Sequence, residues 1–568
     1  MLLGDILRKN ARRETFGDKT ALIFGERTWS YATLNAYANR IANSLLGLGV
    51  AKGDRVAVLG RNSDVYVAIY FALAKLGAIM APVNFWYRAE ELRYTLDQSG
   101  SRWLLTETRF AAVVEAARSA IVAPLTTVWF DVTSTRLPDS KDPGNASPQR
   151  HGEDTENTET GFGGPYQVPR TPDPRPNTPV SASSVSSACL RGERNLSALI
   201  ADSSDGEPAV AVSPEDPHII LYTSGTTGFP KGATFCHRAH FLHAVAWALQ
   251  TGQTSDDVGV VVYPLFHTGG PDCLVLPHFL VGATVVVQDG ADPAAILAAA
   301  ERHRLTNIFC VPTVWRWILA ELEKNPYDVS SVRRCLGSSD TLPPDLLSGI
   351  LEHFDAEVRV TYGLTEAGCI LTYSRLTRAD RSTIHTVGKP HPLVELRIVD
   401  AAGHDVGPGE VGEIVARGPT LLDGYWKLPE RTAETLAGGW LHSGDLGRFD
   451  ADGSVIIAGR LKDLIVSGGE KIYPIEVEKL LRQHPRVRDA ALVGVPDQEW
   501  GQAVLAVVVP EPGATLSADE VIEFVRGRLA GYKRPRYVEF VDALPVTTAT
   551  GKVQKNVLRE RFGAKYRR

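Results

Sequence analysis

Short apolar runs alternate with longer amphipathic ones through the first 130 residues. Residues 34–46 carry apolar side chains at helical spacing and end near Gly47 and Gly49. Residues 55–60 read as a short strand, 65–76 as a strongly apolar helix, 78–82 as a second strand, and a further helix starts at 89–96. Helices that follow short apolar strands predict a parallel sheet covered on both faces. The alternation resumes near Leu196, with strands expected at 258–263, 283–288, 307–311 and 358–362 and helices from 237 and over 292–303. Between 387 and 415 the pattern turns to short strands with Gly turns, as in a small β-subdomain. The C-terminal part reads as a helix over 472–482, strands at 490–495 and 503–509, and a helix over 521–529 opened by the capping box Ser517-Ala518-Asp519-Glu520. The expected fold class is α/β: a large N-terminal domain of α/β subdomains with a small β-subdomain, then a small mobile α+β domain.

One stretch breaks this pattern. Nine prolines fall between Pro138 and Pro179, among Ser, Thr, Asp and Asn, with Phe162 and Tyr166 as the only aromatics. Such a segment buries too little apolar surface to offset its ordering entropy, so 133–187 is expected to be a disordered insertion. The length of 568 residues implies more than one domain. A net charge of −6 is too mild to suggest binding to nucleic acid or to an anionic membrane. The six cysteines include no CxxC pair, which points to free thiols in a reducing compartment. With no signal-peptide pattern and no apolar run long enough to span a bilayer, a cytoplasmic protein without a transmembrane segment is the expectation.

The densest chemical signal is Tyr222-Thr223-Ser224-Gly225-Thr226-Thr227-Gly228-Phe229-Pro230-Lys231-Gly232, entered from the apolar strand 218–221. Glycines let backbone N–H groups point outward, hydroxyls add donors, and Lys231 adds a point charge; together they suit a polyphosphate. Pro230 stands where the common P-loop needs a glycine, so this is a different phosphate-handling loop; a flexible Ser/Thr/Gly turn is the plainer alternative.

Four further motifs follow. Thr361-Tyr362-Gly363-Leu364-Thr365-Glu366 sits at the carboxyl end of an expected strand, where α/β sheets place ligands. Its ring, hydroxyl and carboxylate could stack a base, bind a phosphate oxygen and hold Mg²⁺. Gly439-Trp440-Leu441-His442-Ser443-Gly444-Asp445 offers an aspartate for two ribose hydroxyls, or simply an Asx turn. Gly459-Arg460-Leu461-Lys462-Asp463 precedes Ser467-Gly468-Gly469-Glu470, and Pro545 to Lys552 closes the series. A separate cluster, Cys236, His237, His240 and His243, invites a metal site, but the three histidines sweep around a helix and do not converge.

Taken together, the five motifs resemble the adenylate-forming superfamily of acyl-CoA synthetases, amino-acid adenylation domains and firefly-type luciferases. They occur in family order with family-like spacing and cover nearly everything except the insertion. The resemblance implies a domain of 1–460 that binds AMP and a C-terminal domain of 463–568 that carries a catalytic lysine. It implies that Thr223, Ser224, Gly225, Thr226, Thr227 and Lys231 hold the β- and γ-phosphates of ATP, with Glu366 and Thr226 at Mg²⁺. Tyr362 and Gly363 would lie at adenine, with Ser338, Ser339 and Asp340 lining that pocket, although relatives often read Gly-Gly-Ala-Pro there. Thr365 would touch the α-phosphate, Asp445 and Arg460 the ribose. Lys462 would be the hinge, Lys552 the lysine at the α-phosphate and carboxylate, and Ser467, Gly468 and Gly469 the coenzyme A tunnel.

The acid is less defined. Pro264-Leu265-Phe266-His267-Thr268-Gly269-Gly270 matches the family's acyl-pocket segment, with His267 at the carboxylate end and Gly269 and Gly270 in the pocket. The positions before Gly269 carry no aspartate to hold an amine, which argues against an amino-acid substrate. The expected reaction is ATP-dependent carboxylic acid–CoA ligation, with a fatty acid as the first expectation. The alternatives are an aryl acid, delivery to a carrier-protein thiol, and a non-enzymatic nucleotide-binding scaffold. Partners are then the acid, ATP and coenzyme A, with homodimerisation left open.

Overall fold

The computed structural model describes residues 2–118, 121, 124–132, 194–223, 230–337, 342–381, 384–547 and 552–566. The expected insertion at 133–187 lies outside them. Among the described residues two large sheets form the N-terminal part. One has eight strands in the order Gly424–Tyr425, Lys231–Cys236, Pro217–Thr223, Ile79–Pro82, Arg55–Leu59, Trp103–Glu107, Thr126–Phe130 and Arg194–Asn195. The other has nine, with Val258–Val261, Thr284–Val287, Asn307–Cys310, Arg334–Gly337 and Glu357–Tyr362 running parallel to one another through its centre. The parallel pairing expected from the alternating pattern is therefore present, with antiparallel strands added at the edges.

The helix Asp64–Leu76 explains how the sheets meet. All 13 of its residues are buried. Ser63 caps its start by accepting a hydrogen bond from the Tyr66 N–H, and Gly77 ends it at φ 64°. A helix apolar all round belongs inside a large core, and one apolar cluster does run through both sheets and this helix. Its first residue is paired: Asp64 accepts from Arg27 Nε at 2.7 Å and from Trp29 Nε1 at 2.9 Å.

A four-stranded antiparallel sheet follows, in the order Glu395–Val399, Gly412–Arg417, Leu441–Phe449 and Val455–Arg460, which is the small β-subdomain. Beyond it the hairpin Ile465–Ser467/Glu470–Ile472 and the sheet Val487–Asp497, Gly501–Pro510, Tyr537–Phe540 carry two apolar clusters of their own. Those clusters contain no residue before Ile465. Two helix limits differ from expectation. The helix expected over 472–482 is Pro474–Leu481, because Ile472 pairs in a strand and Pro474 starts the helix. The helix expected over 521–529 is Ala518–Val525, since Arg526 is extended and Gly527 takes φ 77°.

The helix His237–Thr251 buries His237, His240 and His243. His240 Nδ1 lies 3.0 Å from His218 Nε2 and 3.3 Å from Asp272 Oδ1. Among the described residues no group of three His, Cys, Asp or Glu is arranged to hold a metal ion. Burial lowers the pKa of His237 to about 4, of His243 to about 3, and of His278 and His391 to about 4, from the ordinary 6.5. At these four histidines the unfolded chain therefore binds more protons than the folded one between about pH 6.5 and 4. This contribution to stability is complete above the upper limit and is lost as the pH falls through the window. The expected outcome is a melting temperature that drops steeply between pH 7 and pH 5, by calorimetry; a flat profile would contradict it.

Candidate active site

The two ends of the segment 222–232 are paired strands. Strand Pro217–Thr223 pairs antiparallel with Lys231–Cys236, so Thr223 faces Lys231 and Tyr222 faces Gly232. Gly232 is required for this approach, because a Cβ there would collide with the Ile220 side chain. The base of the hairpin is pinned from outside: Tyr222 Oη donates to Gln98 Oε1 at 2.7 Å, and Tyr94 Oη to Pro230 O at 3.0 Å. Ser224, Gly225, Thr226 and Thr227 lie outside the described residues, as do Ser338, Ser339 and Asp340 of the expected adenine pocket.

Next to this hairpin the strand Glu357–Tyr362 ends in a tight turn. Thr365–Ala367 forms one 3₁₀ turn that places Thr365 and Glu366 just beyond Tyr362. Tyr362 Oη donates to Asp445 Oδ2 at 2.9 Å, and Arg460 Nε lies 3.2 Å from Asp445 Oδ1. Asp445 and Arg460 are register partners across Leu441–Phe449 and Val455–Arg460, which is how two distant motifs become one group. Burial, and then the Asp445 charge, raise the Tyr362 pKa, so its hydroxyl stays a donor.

Glu366 is partly exposed, and its Oε1 accepts from Tyr425 Oη at 2.7 Å. Among the described residues Oε2 takes no hydrogen bond. A carboxylate oxygen left toward solvent is the hard ligand that Mg²⁺ favours, so this residue fits the expected ion. Lys231 Nζ lies 5.3 Å from the centroid of the Tyr425 ring, on the same side chain that holds Glu366.

His267 sits in the loop after Val258–Val261. Its Nδ1 accepts from the Gly269 N–H at 3.1 Å, which puts the neutral ring's proton on Nε2. Burial lowers its pKa to about 4, so it is neutral at physiological pH. A Cβ on Gly269 or Gly270 would meet the Tyr263 ring or the Pro264 carbonyl, so the two glycines let this segment fold tightly. Asp272, just beyond, is buried, and burial holds its carboxyl well above the usual range.

Lys462 lies in the turn Leu461–Asp463, where Arg559 donates to the Lys462 carbonyl at 3.3 Å and pairs with Asp463 at 2.6 Å. Gly468 and Gly469, at φ 59° and 86°, make the two-residue turn between Ile465–Ser467 and Glu470–Ile472, and Trp500 covers Gly468. Lys552 is exposed at the end of a loop closed by the Val546–Val553 bridge and by Thr547 N donating to Lys552 O at 2.9 Å.

The family model described as AMP-binding enzyme matches residues 7–426, and that of the AMP-binding enzyme C-terminal domain matches 476–552. The chain belongs to the AMP-binding enzyme family. Within the adenylate-forming superfamily it falls in the acyl-CoA synthetase branch. It is 36% identical to a feruloyl-CoA synthase of an Amycolatopsis species, covering 96% of each chain. It is also 36% identical to an indoleacetate–CoA ligase of Aromatoleum aromaticum, covering 95% of each. Among solved structures it resembles the anthranilate CoA ligase AuaEII in complex with anthranoyl-AMP. There the TM-score is 0.80 at 28% identity, over 99% of this chain and 97% of that one.

In this AMP-binding enzyme Asp445 joins Tyr362 to Arg460. Asp445→Asn removes the charge that both use, and a hydrogen bond to a charged group is worth about 1.5–3 kcal/mol. The expected result is a KM for ATP raised roughly ten- to a hundredfold with the KM for the acid little changed, read from steady-state kinetics. Sequence reasoning missed Tyr425. It lies between Gly424 and Trp426, outside the five motifs, and the pairing of Tyr425 with Ala233 helps to bring it to Glu366. It also missed Glu413, whose Oε1 accepts from the Gly444 N–H at 3.0 Å and so shapes the turn before Asp445. Neither residue has a local chemical signature.

Proposed function

We propose that this enzyme is an ATP-dependent aryl acid–coenzyme A ligase. The observation that carries the reading is the Tyr362–Glu366 turn. Within five residues it joins a ring bonded to the Asp445–Arg460 pair to a carboxylate bonded beside Lys231. A nucleotide laid along it would meet aromatic, ribose-binding and phosphate-binding groups in the order in which a nucleoside triphosphate presents them. In the first step a carboxylate oxygen attacks the α-phosphorus; the bond to the β-phosphate oxygen breaks and pyrophosphate leaves. In the second the thiol of coenzyme A attacks the acyl carbonyl and AMP leaves. Adenylation is needed because a carboxylate by itself has no adequate leaving group.

The roles follow from the side chains. Lys231 and the hairpin loop would neutralise the departing pyrophosphate, Thr365 would touch the α-phosphate, and Lys552 would stabilise charge growing on phosphorus. Glu366 and Thr226 would hold Mg²⁺, which supplies further charge neutralisation at the phosphates. Neutral His267 would direct its Nε2–H to the acid's carboxylate. Ser467, Gly468 and Gly469 would line the path of the thiol after rotation about Lys462. The aryl preference rests on the names of the two relatives and on an acyl segment without a charged amine-binding group; a fatty acid is the second reading.

The test is pyrophosphate release with ATP, Mg²⁺ and a panel of hydroxycinnamic, arylacetic, benzoic and straight-chain fatty acids, with and without coenzyme A. Aryl acids should give the highest kcat/KM and a thioester product. Highest turnover with a long-chain acid would replace the aryl reading. An acyl-adenylate retained in the presence of coenzyme A would point to a carrier-protein thiol. No pyrophosphate with any acid would overturn the proposal.

A further inference from the structure

We propose that Tyr425 is a positioning residue for nucleotide binding: its hydroxyl orients Glu366 toward the metal-bound triphosphate, and its ring supports Lys231. The segment around it is a strap that ties the two site elements together. Leu422 N donates to Glu366 O at 2.9 Å, Asp423 N to Thr234 O at 2.8 Å, and Trp426 N to Gly232 O at 2.8 Å. Trp426 is anchored in turn, by its Nε1 to Ser99 O at 3.0 Å and by Gln98 Nε2 to its carbonyl at 2.8 Å. Between these ties Tyr425 is 8% exposed, and its rotamer is set by packing.

Its two ends do different work. The hydroxyl donates to Glu366 Oε1 at 2.7 Å, a charge-assisted bond that occupies one carboxylate oxygen and leaves Oε2 outward. A glutamate held in one rotamer has little side-chain entropy left to lose when it binds a ligand. The ring face lies 5.3 Å from Lys231 Nζ, which steadies the ammonium at the mouth of the hairpin. Packing alone would be satisfied by phenylalanine, so the hydroxyl is the part that calls for a role.

This inference rests on the reading of Glu366 as the Mg²⁺-binding carboxylate, and the experiment separates the two. ATP is titrated into the full chain by calorimetry, once with Mg²⁺ and once with EDTA. Tyr425→Phe is expected to weaken binding roughly tenfold or more with Mg²⁺ and to leave it within about twofold in EDTA. Tyr425→Leu should weaken both. In a Glu366→Gln background, which itself loses the Mg²⁺-dependent gain, Tyr425→Phe should add nothing further. Equal weakening with and without Mg²⁺, or effects of the two substitutions that simply add, would overturn the role given to the hydroxyl. So would wild-type affinity in Tyr425→Phe alongside a clear loss in Glu366→Gln, and the Glu366 reading would then stand. No effect of Glu366→Gln would overturn the Glu366 reading and with it this one.

Discussion

Lys552→Ala is expected to slow acyl-adenylate formation by roughly a hundred- to a thousandfold and to leave thioester formation from a supplied acyl-adenylate largely intact. The magnitude is that of removing one preorganised charge from a developing oxyanion. The asymmetry follows from chemistry and topology together. Negative charge builds on the equatorial oxygens of phosphorus only in the first step; in the second the electrophile is carbon and AMP departs already formed. Lys552 is exposed on a loop closed by Val546 and Val553, in the region whose apolar clusters share nothing with the sheets that hold Tyr362 and Glu366. A group on such a unit can be presented for one step and withdrawn for the next. The two half-reactions are measured separately, by pyrophosphate release and by thioester formation from synthetic acyl-adenylate. Equal loss in both would reject the assignment.

Much of this arrangement is legible in the chain because its devices are local. The strand Pro217–Thr223 is announced by the apolar run before the glycines and hydroxyls. The Gly468–Gly469 turn is announced by two adjacent glycines, and the capping box at Ser517 closes as expected, with Ser517 N donating to Glu520 Oε2 at 2.8 Å. What stays hidden depends on register between distant segments. Tyr425 reaches Glu366 because Gly424–Tyr425 adds a strand beside Lys231–Cys236 and Leu422 N donates to the Glu366 carbonyl. The His240–His218–Asp272 contact joins a helix, a strand and the turn after His267, and no spacing rule relates the three. The acid is hidden for a related reason: a pocket wall is a shape made by several elements, and no single segment spells it out.

Gly363→Ala should be as damaging to the reaction as loss of the lysine, for a steric reason. A Cβ at this position would overlap the Cys369 carbonyl and the Ile370 Cα. Both are backbone atoms, so no rotamer change relieves the clash. The chain doubles back here: Cys369 N donates to Leu364 O at 3.0 Å and Leu371 N to Tyr362 O at 2.7 Å, so the two segments are tied on either side of the glycine. The turn must then shift as a unit, on the order of an ångström, carrying Thr365 and Glu366 away from the position that Tyr362 and Asp445 define. A displacement of that size costs about a hundredfold in rate when it misaligns reacting groups. The expected outcome is at least that loss in pyrophosphate release, with weaker Mg²⁺-dependent ATP binding and a lowered melting temperature. Gly47→Ala is the control, because a Cβ there meets nothing within 4 Å at the end of the helix Tyr31–Gly47. It should leave activity unchanged. Near wild-type turnover in Gly363→Ala would mean that the Tyr362–Glu366 turn tolerates movement and does not set the geometry of adenylation.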